Sequence, residues 1–591
     1  FILSSPPSSE PYYLINNFEE VHVLRWLPLV YREELYQVLQ LTGPLLLSRI
    51  LNFLLPFVIT IFCGHIGNAE LAGYALASAT INVTTTATGY GLAVACDTLI
   101  SQTFGSKNLK RVGVILQRGS LIMLLFCLPC WGLLINSYNL LLILHQEDEV
   151  ARIAHLYVMA FLPAVPVSAL TDYGFHVFLV CQGIILPQMY TAAAANVINL
   201  AANYVLIFSL ELGVVGSAIA NSLSQITICL LLFGYIRWKK LHQQTWGGWS
   251  TDCLQEWGTY MKLVIPSAFM VCFEWWIWEI GGFLAGVLGE VDLAAQHVMV
   301  EIGAITYMFP LGVHAAACVR VGNALGAGNT TRALVTCKVA LVLAGLLAVL
   351  QGIVITGSKS VIGYIFTSDE KIVALVSENF KVYIFLQFFD ALLCVCSGIL
   401  VGSGMQKIAA LSNLVGYYCI GLPVGIALMF FAELRILGFW VGLLVCVFFE
   451  TGFFLILIFK LNWKKVTQKV AFYVFILFQF FSNINSIHKV CLCVVMGLWY
   501  GYSPVNTQDQ ELKSKNASNT KPQLLLSVTQ LILRRGLIFL ILVLILVIGV
   551  AFHIAFPSPE PSAQRWANLT LHWANDSTPT PLVPLDLTPH L

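Results

Sequence analysis

Apolar runs of about twenty residues recur along the chain, separated by short polar stretches, and each is long enough for one helix to cross a hydrocarbon layer of roughly 30 Å. Twelve such runs precede Lys460, over 38–63, 71–95, 113–136, 151–176, 188–208, 213–236, 261–285, 293–316, 333–357, 375–400, 408–431 and 436–459. A thirteenth, Gly536 to Phe556, is the least interrupted. Backbone polar groups in lipid must be satisfied internally, so runs of this length read as helices. The expected class is an all-α polytopic membrane protein. Its expected divisions are a segment 1–36, a lobe 37–236, a connecting loop 237–260, a second lobe 261–459, a linker 460–535, the last span 536–556 and a tail 557–591. Within the linker, two apolar runs over 470–502 flank the polar stretch Ser482 to Lys489. Each is too short to span alone, so a re-entrant or interfacial hairpin is expected.

Charge then excludes other classes and orients the array. Only 10% of residues are charged, against roughly 25% in soluble domains, and the net charge is +1 with no basic run outside short loops. A nucleic-acid partner is therefore not expected, whereas the lipid bilayer is. Lys and Arg are retained on the cytoplasmic side in short loops. One set of loops carries twelve basic residues: Lys107, Lys110, Arg111, Arg118, Arg237, Lys239, Lys240, Lys262, Arg320, Arg332, Lys338 and Lys407. The other set carries at most five, namely Arg152, Lys359, Lys371, Lys381 and Arg435. The N-terminus is thus expected inside and the C-terminal tail outside. Two glycosylation sequons in that tail, at Asn568 and Asn575, agree with the outside placement. The cysteines lie mostly in apolar stretches, and Cys127 with Cys130, a lone CxxC, reads as packing.

The two halves repeat. Gly64-His-Ile-Gly67 with Glu70-Leu-Ala matches Gly286-Val-Leu-Gly289 with Asp292-Leu-Ala at an offset of 222. Phe104-Gly105-Ser-Lys-Asn108 matches Leu325-Gly326-Ala-Gly-Asn329 at 221, and Leu212-Gly213 matches Leu437-Gly438 at 225. Six spans separate the halves, so they share orientation and are related by an axis along the membrane normal. That is the plan of a two-lobed transporter with a central cleft.

Ionisable groups inside a membrane cost several kcal/mol unless solvated or paired, and so mark function. Glu274 and Glu279 on the seventh span, Glu301 on the eighth and Asp390 on the tenth lack matching bases. They point to an acidic pocket for organic cations or protons. Residues four apart share a helix face, which puts Glu274 beside Trp278, while Glu279 lies about 140° away and is expected to face elsewhere. Trp275, Trp276 and Tyr307 would add the aromatic faces that bind bulky cations. A carboxylate in such a cleft can bind a cation or a proton, and competition gives exchange without an ATP site; no GxxxxGK[ST] loop is present. Asn196, Asn199 and Asn203 form a stripe read as interhelical glue, with substrate contact as the alternative. His297 and His314 read as hydrogen-bonded helix contacts, and Arg49, Asn52 and Asn82 as candidates for the opposite wall.

Phe62-Cys-Gly-His-Ile-Gly67, Ser101-Gln-Thr-Phe-Gly105, Glu274-Trp-Trp276, Arg320-Val-Gly-Asn-Ala-Leu-Gly-Ala-Gly328 and Gly421-Leu-Pro-Val-Gly425 together resemble the multidrug and toxin extrusion transporters, in their vertebrate branch. The likeness covers about 37–465 and 522–556. It implies two pseudo-symmetric six-helix bundles plus a thirteenth helix, no cofactor beyond a coupling proton, and export of small organic cations across a plasma membrane. It also implies that Glu274, Glu279, Glu301 and Asp390 are the functional carboxylates, with Asn82, Trp275 and Tyr307 in the pocket. The chain departs from that pattern at Asp390, where Glu is usual, at Arg49 for Gln, at Gln387 for His and at Val401 for Arg. The expected activity is proton/organic-cation antiport. Its rivals are sodium-coupled export on the same fold and lipid flipping, the latter suggested by Arg49; for a membrane enzyme, no nucleophile and base stand at a suitable spacing.

Overall fold

The computed structural model describes residues 28–144, 146–366, 369–471 and 528–556. The expected hairpin beyond residue 471, the tail with its sequons and most of the segment before α1 lie outside the described residues. The fold is all-helical. The first lobe comprises α1 (Leu29–Ile66), α2 (Asn68–Ile81), α3 (Ala87–Gly105), α4 (Leu109–Leu134), the short α5 (Ser137–Ile143), α6 (Asp148–Phe161), α7 (Ala164–Leu170), α8 (His176–Cys181), α9 (Leu186–Tyr204) and α10 (Gly213–Trp238). The second comprises α11 (Trp257–Leu288), α12 (Glu290–Gly326), α13 (Thr330–Ser358), α14 (Glu370–Gly402), α15 (Gln406–Asn413), α16 (Leu422–Ile426) and α17 (Ile436–Lys460). A last helix, α18 (Val528–Ala555), packs on α4.

Eleven helical segments among the described residues are long and apolar enough to cross a membrane unaided, and α6 with α7 forms a twelfth bent by 57°. The continuous helix from Asn68 to Gly105 supplies the remaining length. Its polar stretch Asn82-Val-Thr-Thr-Thr86 is a π-helical turn that joins α2 to α3. The helix runs ten residues past the expected limit at 95.

Each lobe has its own apolar core: Tyr157, Leu179 and Leu232 are fully buried in the first, Phe380, Phe454 and Trp440 in the second. The repeat reappears as shared backbone devices. Gly67 separates α1 from α2 and Gly289 separates α11 from α12, each amide donating four residues back, to Cys63 and Ala285. Lys107 and Gly328, both left-handed at φ 63° and 75°, make the turns that follow α3 and α12. The third match is corrected: the structure pairs Leu212 with Leu434 and Gly216 with Gly438, at an offset of 222. The Leu212 and Leu434 amides donate to Leu206 and Leu428. Gly216 and Gly438 pack against those same two residues.

The one-residue drift between offsets has a physical source. A π-turn accommodates one extra residue in a helix. The helix Asn68–Gly105 contains a π-turn and α12 does not, and the offset falls from 222 at Gly67/Gly289 to 221 at Gly105/Gly326. It is again 222 at the starts of α6 and α14, where Ala151 and Val373 donate to Glu147 and Asp369. Across the π-turn Thr171–Phe175 it falls to 221 at the left-handed pair Gly183 and Gly404. Across Leu414–Gly421 it returns to 222.

The lobes meet at the end that carries the basic loops. A Cβ on Gly105 would lie 2.1 Å from the Asn323 carbonyl oxygen, and one on Gly326 would lie 1.9 Å from that of Gln102. Gln102 and Asn323 are themselves repeat partners, so the contact is reciprocal. Ion pairs repeat beside it. Glu34 of α1, 3% exposed, meets Arg320 at 2.7 Å and Arg332 of α13 at 3.2 Å. Its counterpart Glu256 meets Arg111 of α4 at 2.5 Å and Arg118 at 3.6 Å.

The α18 contact also relies on glycine. A Cβ on Gly549 would fall 2.7 Å from the Gly132 carbonyl oxygen, and the Asn136 amide donates to both glycine carbonyls at 2.8–2.9 Å. At the other end Arg535 lies 4.4 Å above the Trp257 ring. All described cysteines are free, and the Cys127 and Cys130 thiols are buried against the backbone carbonyls of Met123 and Thr84.

Candidate functional site

A cavity of about 570 Å³ lies between the lobes. Its second-lobe wall is built on α11, which contributes Glu274, Trp275, Trp276, Trp278 and Glu279. Ile277, within this run, is fully buried and turns into the core instead. The expected separation of Glu274 from Glu279 is therefore corrected: both line the same cavity, because it wraps around α11 over more than the 140° between them. From α12, Val300, Gly303, Ala304, Tyr307, Met308 and Leu311 recur at three- and four-residue spacing and complete that wall. The Tyr307 hydroxyl donates to Glu274 Oε1 at 2.6 Å. From α14 come Tyr383 and Asp390, and Trp440 on α17 closes the far side against Trp278, 5.6 Å between ring centroids.

Glu301 is corrected in the other direction. It is not among the lining residues: it lies one turn after His297 on α12, beside the face that Val300 and Ala304 present. Its field reaches Tyr74, which does line the cavity.

The first-lobe wall contains Arg49, Asn52 and Asn82, together with Tyr74, Tyr90 and Tyr157. Asn82 opens the π-turn, and such turns frequently occur at functional sites. The Arg49 guanidinium lies 5.9 Å from the centroid of Tyr90, and Tyr90 stacks on Trp275 at 5.5 Å and 17°. An aromatic pair thus bridges the lobes, with a guanidinium at one side and, next along α11, the Glu274 carboxylate at the other.

The asparagine stripe acts as glue. The Asn199 amide donates to Ser224 Oγ, that of Asn203 donates to Asn199, and that of Asn196 donates to the Leu51 carbonyl; none of the three lines the cavity. His314 bonds the Cys394 carbonyl through Nδ1 at 2.8 Å, and His297 is exposed.

Two acids escaped the sequence reading. Asp97 stands two residues beyond the expected limit of the second span and lines a smaller cavity of about 40 Å³, shared with Arg49, His176 and His314. Glu450 on α17 is 4% exposed and lies against Gly416. Counting acids to the true helix ends would have found the first, and scanning the twelfth span would have found the second. No group of three or more metal-ligating side chains occurs among the described residues.

The MatE family model matches this chain twice, over 44–205 and 266–427, so both boundaries are displaced by the 222 residues of the repeat. Multidrug and toxin extrusion protein 1 of Danio rerio is 53% identical over 75% of this chain and 75% of its own. The human protein of that name is 45% identical over 88% of this chain and 93% of its own. The crystal structure of the eukaryotic MATE transporter AtDTX14 superposes with a TM-score of 0.73 at 28% identity, covering 75% of this chain and all of that one. With a doubled family match, full-length relatives and a shared fold around one inter-lobe cavity, this chain belongs to the multidrug and toxin extrusion (MATE) family of multi-span membrane transporters.

Proposed function

We propose that this transporter exports small organic cations in exchange for protons, at a plasma membrane, with its N-terminus in the cytoplasm and its tail outside. The observation that carries the reading is Glu274: a carboxylate hydrogen-bonded by Tyr307 inside a cavity walled by Trp275, Trp276 and Trp278. A desolvated carboxylate beside aromatic faces attracts a bulky cation through charge and through the ring quadrupoles. A proton arriving from outside neutralises that carboxylate, and the cation loses its main Coulomb partner and departs. Inside, the proton leaves and the site is charged again. Alternating contact of the lobes exposes the cavity to each side in turn. Glu279 and Asp390, in the same cavity, extend the acidic wall, and the basic loops support the orientation.

The test is uptake of labelled tetraethylammonium into acid-loaded proteoliposomes, comparing wild type with Glu274→Gln. Expected is uptake that requires the proton gradient, survives sodium removal and is lost in the variant. Uptake driven by sodium at fixed pH would replace the coupling ion. Absence of cation uptake by a folded wild type would sink the reading.

A further inference from the structure

We infer that the cavity also accepts zwitterions, holding a ligand's cationic end at Glu274 and its carboxylate at Arg49. The inference rests on the exporter reading above and adds a substrate class to the same cavity.

Three carboxylates, Glu274, Glu279 and Asp390, line the second-lobe side of the cavity, and one guanidinium, Arg49, lines the first-lobe side. The charges are segregated by lobe instead of being paired in contact. The printed partner of Arg49 is the Tyr90 ring, and Tyr90 and Trp275 span the distance to Glu274. A ligand lying along this stack meets a negative group at one end and a positive group at the other. A guanidinium stays protonated at any physiological pH, so Arg49 keeps its charge while the carboxylates exchange protons. Its fork of donors matches a carboxylate.

Asp97 is the internal competitor. It lines the smaller cavity behind Arg49, and Arg49 borders both cavities. The other titratable groups around that smaller cavity are His176 of α8, His314 of α12 and Tyr90 of α3. A ligand carboxylate therefore competes with Asp97 for one guanidinium, and removing the Asp97 charge should strengthen the ligand's claim. A purely structural Arg49 would instead affect all substrates alike.

The matched probes are N-methylnicotinamide, a cation, and trigonelline, which carries a carboxylate in place of the carboxamide on the same methylpyridinium ring. Uptake of each is measured in acid-loaded proteoliposomes of the full chain. Wild type should carry both. Arg49→Gln should keep N-methylnicotinamide uptake and lower the trigonelline-to-nicotinamide ratio about tenfold, the scale of one charged hydrogen bond. Arg49→Lys should hold the ratio within about threefold of wild type, and Asp97→Asn should raise it. If Arg49→Gln does not fold, competition of trigonelline against N-methylnicotinamide in wild type and Arg49→Lys decides. Nicotinamide uptake without trigonelline uptake or competition overturns the inference and leaves the exporter reading intact. An equal fall of both substrates in a folded Arg49→Gln also overturns it. Uptake of neither probe overturns both readings. Trigonelline uptake alone, lost in Arg49→Gln, supports the Arg49 site and overturns the cation reading.

Discussion

Gly105 of the first lobe and Gly326 of the second press on each other's helices in the same way, whereas the repeat partner of Glu274 is Asn52, an uncharged amide. The same contrast holds along the cleft. Glu279 corresponds to Phe57, Glu301 to Ala79 and Asp390 to Ser168, so none of the four expected carboxylates has an acidic twin. In the other direction Arg49 corresponds to Val271. Turns, glycine contacts and the Glu34 and Glu256 ion pairs repeat because both lobes must close on each other at one end. The cavity walls diverge because a single ligand lies between them and touches each wall with a different part of itself. Pseudo-symmetry here belongs to the moving parts, and asymmetry to the binding parts.

The largest expected effect tests the symmetric half of this contrast. Gly326→Leu and Gly105→Leu should each abolish transport, because a side chain has no room within 1.9–2.1 Å of a backbone oxygen. Cysteine labelling of Ser101 and Gly322 at that end should rise alike in the two variants. Unequal outcomes would break the equivalence of the lobes.

Next comes the asymmetric half. Glu274→Gln should remove proton-driven uptake, whereas Asn52→Ala at the equivalent position should change it by no more than about threefold, the scale of one neutral hydrogen bond. Similar losses from both would mean that the cleft is functionally symmetric.

Glu34→Ala leaves Arg320 without its buried partner, and breaking such a pair costs about 3 kcal/mol. Thermal unfolding in detergent should register it as a lowered midpoint. Glu256→Ala, whose carboxylate is more exposed, should give a smaller shift in the same direction.

The smallest effect sharpens the bridge between the walls. Trp275→Ala removes the stack on Tyr90, which should weaken cation binding by about 1 kcal/mol, seen as roughly a fivefold higher KM at unchanged kcat. An unchanged KM would remove the aromatic bridge from the binding site.

Much of this was legible in the chain. Spans follow from runs of apolar residues, and the repeat follows from the glycine turns at Gly67 and Gly289. Glu274 and Tyr307 were singled out as neighbours in one pocket. Less legible were the residues whose role depends on partners far away. Glu279 and Glu301 lie on faces that helical angles alone cannot assign to a cavity, since the cavity's width is set by the other lobe. Asp97 was missed because helix ends are poorly marked where a polar π-turn interrupts the apolar run. The shifted third match arose for a related reason, since Leu-Gly occurs at two nearby registers and only the backbone hydrogen bonds separate them.

By itself, the sequence determined the all-helical membrane class, the doubling of the chain and the presence of unpaired acids in the second half. These are local properties: an apolar run of sufficient length must satisfy its backbone as a helix wherever it sits, and a repeat is visible as soon as two turns match. The tertiary structure alone decided which acids share one cavity, that Arg49 faces them across Tyr90 and Trp275, and that π-turns carry the register shifts. Those facts depend on how two helix faces, hundreds of residues apart in sequence, approach each other, and packing between lobes sets that approach.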